Sequence, residues 1–152
     1  MKTLTRLILL SILIASCVAM ASADMPGQHP TYVHGLSDLR AARAHLDYHA
    51  ANEKRDAEED RAIRLIDDAI DAARRAAIAD GKEIKDNPLP DVRLERTDRF
   101  RQAQQLLDSA RRNVAAKEDN PRARDLQAQA VGHIDEARHV VDKLVESYRN
   151  RR

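Results

Sequence analysis

The chain has 152 residues, 34% of them charged, with 26 basic side chains against 25 acidic ones and a net charge of +1. That balance leaves no basic footprint for nucleic acid. A single cysteine rules out an internal disulfide, and 3% aromatics leave stability to the packing of aliphatic and alanine side chains.

Residues 1–23 read as a secretory signal. Lys2 and Arg6 precede an apolar run from Leu7 to Val18, and Ala21-Ser22-Ala23 forms an A-x-A cleavage site. The run is too short for a transmembrane span, which takes about 20 apolar residues. Cleavage after Ala23 leaves a chain of about 129 residues, with 24 basic side chains against 25 acidic ones and a net charge of −1. A rival reading takes Ile14-Ala15-Ser16-Cys17 as a lipoprotein signal with the lipid on Cys17. Both readings place the protein in the periplasm or outside a bacterial cell. Residues 24–152 fit one domain.

Apolar residues recur at helical spacing in four later segments, with no alternating strand pattern. The first starts near Pro30 and Thr31, with a stripe of Tyr32, Gly35 or Leu36, Leu39, Ala42 and Leu46, then His49 or Ala50. The second runs from about Glu53 to Asp80 through Ile63, Ile66, Ile70, Ala73 and Ala77, and Gly81 is placed to cap it. The segment 81–96 contains Asn87-Pro88-Leu89-Pro90, which forbids a continuous helix and serves as a crossover or a surface loop. The third helix follows Thr97 as N-cap, with Phe100, Ala103, Leu107, Ala110 and Val114 inward. The fourth opens on Asn120-Pro121, an N-cap followed by proline at the first helical position. Its stripe is Ala130, Ile134, Ala137, Val141, Leu144 and Tyr148.

The chain also reads as two copies of one unit. At an offset of 68, Leu39, Ala42, Arg43 and Leu46 fall on Leu107, Ala110, Arg111 and Val114. In the same register Ala62, Ile63, Ile66 and Asp67 fall on Ala130, Val131, Ile134 and Asp135. The unit is a helical hairpin. Asn52 stands 68 residues before Asn120, which places the first turn near Ala51-Asn52. The expected fold is all-α, a four-helix bundle of two tandem hairpins (31–80 and 97–149) joined by the connector 81–96. Small inward residues such as Gly35, Ala42, Ala73, Ala103 and Ala137 bring the helices close and leave little room for a buried cofactor such as haem.

Candidate chemistry is sparse. His45 and His49 stand four apart on one helical face, and a hairpin turning near Asn52 brings Glu58 or Glu59 to the same level. His45, His49 and Glu59 therefore form a partial ligand set for Zn²⁺ or Cu²⁺. The competing reading makes the two histidines half-buried packing residues. His34 and His139 are expected to face solvent. Glu136-Ala137-Arg138-His139 has di-iron spacing but occurs once, whereas such centres need two copies. Asp67 and Asp135 sit beside the stripes, suited to ion pairing, and Arg43 is expected to bridge to Asp60. No Cys-x-x-Cys, Gly-x-Ser-x-Gly or glycine-rich phosphate loop is present, so no catalytic residue is nominated.

The stretch His29-Pro30-Thr31-Tyr32-Val33-His34-Gly35-Leu36-Ser37-Asp38-Leu39-Arg40-Ala41-Ala42-Arg43, with Ile66-Asp67-Asp68-Ala69-Ile70 later, resembles a family of small exported bacterial helical proteins. These carry an H-P-x-Y-x-H-x-L-S-D-L-R-x-A-R segment after the signal peptide. The resemblance implies export and a helical bundle and brings no assigned activity or site. The density of His29, Tyr32, His34, Ser37 and Asp38 marks the first turn of helix one as a candidate contact surface, against the reading that these residues simply decorate a wet face. The expected function is a non-enzymatic, exported interaction or structural protein whose partner is an envelope component. The alternatives are an envelope zinc or copper binder and, third, an enzyme with a site at the hairpin ends.

Overall fold

A computed structural model describes residues 31–84 and 92–151. Residues 1–23, expected to form a signal, with Cys17 among them, His29 and the Asn87-Pro88-Leu89-Pro90 stretch lie outside the described residues. Four helices make up the described chain: α1 (Tyr32–Asp47), α2 (Ala57–Ala79), α3 (Arg96–Val114) and α4 (Pro121–Arg149). Among the described residues there is no strand. Nor is any helix there long and apolar enough to cross a membrane.

The helices form a four-helix bundle. Helix α1 packs on α2 and α3, and α4 packs on α2 and α3, so α1 and α4 are diagonal, as are α2 and α3. The start of α1 meets the end of α3, where the Thr31 N–H donates to the Asn113 carbonyl at 3.1 Å. The start of α4 meets the end of α2, where Asn120 Nδ2 donates to the Ala79 carbonyl at 2.8 Å. Every packed pair is therefore antiparallel. The two ends of the segment between Asp80 and Glu95 lie at opposite ends of the bundle, which makes it a crossover rather than a local turn.

The inward stripes are those the periodicity marks, with three differences. Helix α1 ends at Asp47, so His49 and Ala50 are half-buried in the loop beyond it and His49 does not share a helical face with His45. On α2 the buried set is broader: Ala62, Ile63, Ile66, Ala69, Ala72, Ala73, Ala76 and Ala77 are buried while Ile70 is half-buried. A helix with neighbours on two sides needs a wider face than a single seam. On α4, Tyr148 is half-buried. Its ring stands edge-on to buried Phe100, with centroids 5.2 Å apart and planes at 76°. Close approach is most demanding at Gly35, where an added Cβ would stand 2.6 Å from Val114 Cγ2. Val114 is fully buried.

Local signals explain the helix ends. Asn120 caps α4 by accepting from the Arg122 N–H at 3.0 Å, and Pro121 fills the first position. Gly81 takes a left-handed φ of 73° just past the end of α2. The Lys82 N–H reaches the Ala77 carbonyl at 2.9 Å and the Gly81 N–H reaches Ile78 at 3.0 Å, a Schellman closure. Two starts differ from expectation. Helix α2 begins at Ala57 rather than near Glu53, because Asp56 and Glu59 form a reciprocal capping box. Helix α3 begins at Arg96, and Thr97 is a buried residue of its first turn rather than its cap.

The late start of α2 shifts the hairpin register. Arg43 Nε donates to Asp67 Oδ1 at 2.6 Å, not to Asp60, which pairs with Arg55 at 3.2 Å. The displacement from Asp60 to Asp67 is two helical turns, about 10 Å. On the other hairpin Arg111 Nε donates to Asp135 Oδ1 at 2.6 Å, with the same 24-residue separation. Both Arg–Asp pairs are half-exposed, so each is worth at most about 1 kcal/mol.

Candidate functional site

The chemistry-bearing residues gather at one end of the bundle, where α1 and α4 finish and α2 and α3 begin. At its centre is Glu59, third residue of α2 and fully buried at 0% exposure. The capping box fixes its backbone and turns its carboxylate back toward the loop. Glu59 Oε2 accepts from the Asp56 N–H at 3.2 Å. Oε1 accepts from Arg96, through Nε at 2.9 Å and through Nη2. The same Arg96 Nη2 donates to the Lys54 carbonyl at 2.8 Å. The Arg96 guanidinium also stacks 4.8 Å from the Tyr148 ring centroid.

His49 closes the other side. Its Nε2 lies 3.0 Å from Glu59 Oε2 and its Nδ1 lies 2.8 Å from the Asp47 carbonyl. Both ring nitrogens are therefore directed at oxygens, and turning either to a metal breaks one of these contacts.

A second buried pair lies beside the first. Arg99, 2% exposed, donates through Nη2 to Glu53 at 2.5 Å and through Nη1 to the Leu94 carbonyl at 2.6 Å. Its guanidinium covers Tyr48 at 5.0 Å. Burial pushes the Glu53 carboxyl up, but the hydrogen bond and charge of Arg99 outweigh it and hold the group below its usual value. His45 is 4% exposed, and its Nδ1 is buried without a hydrogen-bond partner. Burial first, and the charge of Arg99 second, lower its pKa and keep the ring neutral. Two guanidinium groups meet two carboxylates here, which is the condition for burying charge at all.

The structure thus brings two of the three expected metal residues, His49 and Glu59, into contact, and fills the cation position with Arg96. His45 stands near Arg99 instead. Glu58 turns to Arg61, 3.9 Å away. Among the described residues no three His, Cys, Asp or Glu side chains form a metal-holding group. His34 and His139 are exposed, and His133 is half-buried with an unpartnered Nδ1. The proposed contact surface on the first turn of α1 is partly closed. Tyr32 is buried and donates to Glu118 at 2.7 Å, while Asp38 accepts from Asn113 at 3.0 Å. Burial, then the bond to Glu118, raises the Tyr32 pKa far above the ordinary tyrosine value, so this hydroxyl stays a donor.

Arg96, Arg99 and Glu53 carry no role in the sequence reading, although a signal for the arginines exists. Two cations in the first turn of a helix oppose its dipole, so their presence calls for nearby carboxylates. A separate open groove of about 560 Å³ lies between α3 and α4, lined by Asp108, Arg111, Arg138 and Asp142 among others. Two of its guanidinium groups are taken up internally: Arg111 by Asp135, and Arg138 by Asp108 at 2.5 Å. No family model, no curated protein and no solved structure matches the chain.

Proposed function

We propose that this chain is an exported, non-enzymatic helical bundle that works by presenting charged helix faces to another envelope macromolecule. The observation that carries the reading is a division of labour among charges. Inside, Glu59, Glu53, Arg96 and Arg99 are consumed by one another and bolt the α1–α2 loop to α2 and α3. Outside, Arg64, Asp68, Asp71 and Arg74 on α2 are exposed and have no ion-pair partner among the described residues. Charge left free on a rigid face steers and selects partners more than it stabilises a fold. The signal pattern in residues 1–23, and the resemblance carried by the segment that starts at His29, support export.

The test is capture from envelope extracts followed by reconstitution. A captured component should bind the purified chain directly, and binding should weaken with salt and with neutralisation of the exposed helix charges it contacts. A chain that binds no envelope component under several growth conditions overturns the reading. Zinc or copper binding at His45, His49 and Glu59 is the second reading. The 3.0 Å contact between His49 and Glu59 favours it. It requires a metal to displace Arg96 from a buried carboxylate, which strands a guanidinium.

A further inference from the structure

The geometry points to a second copy of this chain as an occupant of the outer face of α2, in an antiparallel, two-fold contact. The inference rests on the reading of the outer faces as recognition surfaces and names the partner for one of them. Arg61, Arg64, Asp68 and Asp71 are all exposed and follow one another at spacings of three, four and three, a single row along the helix. The row is a block of two cations followed by a block of two anions. Read in the opposite direction it is its own complement. With two α2 helices antiparallel and centred at the height of Ile66, Arg61 of one copy stands opposite Asp71 of the other, and Arg64 opposite Asp68. The dyad repeats both pairs, giving four ion pairs from one surface, which is the requirement of an isologous contact.

Two observations favour this over a merely solvated face. Each block sets like charges three residues apart, which disfavours an isolated helix by a small amount. Arg64, Asp68 and Asp71 nevertheless have no ion-pair partner among the described residues, and Arg61 has only its 3.9 Å contact with Glu58. The positions 68 residues later on α4 are exposed too, and they hold Gln129, Gly132, Glu136 and His139. The bundle therefore does not need charge blocks on such a row; of these two helices only α2 carries them. Surface ion pairs are screened by salt, so the contact is weak and reversible and strongest at low ionic strength.

Sedimentation of the purified chain at low and high salt tests this, with circular dichroism confirming that each variant stays helical. The wild type should self-associate at low salt and dissociate at high salt. R61E/R64E and D68R/D71R should each lose self-association by at least about tenfold, because like charges then face each other across the dyad. Mixed in equal amounts, the two should form a heterodimer. The quadruple variant R61E/R64E/D68R/D71R restores complementarity with reversed sign and should dimerise like the wild type. A chain that remains monomeric at low salt overturns the inference, as does a dimer that survives both double variants. Partner capture that persists in a strictly monomeric chain would retire this contact and leave the envelope reading standing.

Discussion

Removing the Glu59 carboxylate is the sharpest perturbation of the buried end. Glu59→Ala deletes the acceptor for two Arg96 N–H groups, for His49 and for the Asp56 N–H. It leaves a guanidinium whose side chain is only 16% exposed without its counter-charge. Breaking one side of a buried pair costs about 3–5 kcal/mol, and partial access of Arg96 to water places this case near the lower bound. The lost capping box adds about 1 kcal/mol. For a domain of this size the sum corresponds to a fall in Tm of roughly 10–20 °C. Circular dichroism at 222 nm during heating, with urea unfolding for the free energy, reads it. Glu59→Gln retains one acceptor and the shape, so it should cost roughly half as much as the alanine variant. The double variant E59L/R96M should recover most of the loss, because apolar replacement of both partners of a buried pair is commonly near neutral. A Glu59→Ala melt within about 3 °C of wild type would refute the claim that this carboxylate holds the end together.

Other perturbations follow from the same packing. Gly35→Ala drives a methyl to 2.6 Å from buried Val114, so it should destabilise by about 1–3 kcal/mol despite a better helix propensity, and adding Val114→Ala should rescue it in urea unfolding. Gly132 is exposed in mid-helix, and a Cβ added there would meet nothing within 4 Å, so Gly132→Ala should stabilise by about 0.5–1 kcal/mol. His45 has a lowered pKa in the folded chain, so the unfolded chain takes up its proton first as pH falls. The stability contributed by neutral His45 is complete above the unfolded histidine value of about 6.5 and is lost as pH drops through the folded value. Unfolding free energies of His45→Leu measured across this range should show a flatter acid limb than the wild type.

The fold is legible in the sequence because its signals are local and mutually consistent. Stripes at three-four spacing locate all four helices, and Asn120-Pro121 and Gly81 mark two ends by their own chemistry. The start of α2 is where the repeat misleads, because the offset to Asn120 points to Asn52 while a nearer cue decides. Asp56-Ala57-Glu58-Glu59 carries the aspartate and glutamate of a capping box, and that box sets the first residue of α2. The consequence extends along the hairpin: a helix starting at Glu53 puts Asp60 beside Arg43, whereas the observed register gives Asp67. His49 and Glu59 are paired by the hairpin geometry alone, and they do meet. What the pattern does not reveal is the arginine that neutralises them. Arg96 and Arg99 arrive from α3, across a crossover whose direction no local signal fixes. The crossover brings the start of α3 to the start of α2, and the carboxylates there are neutralised by arginine.

The end cluster is closed by its own arginines, Arg96 on Glu59 and Arg99 on Glu53. Calorimetric titration of the purified chain with zinc and with copper tests this most directly, with a melt recorded for each sample. The expected result is no saturable binding at micromolar metal and an unchanged melting temperature. A one-to-one site of micromolar affinity that raises the melt and disappears in His49→Ala would contradict it.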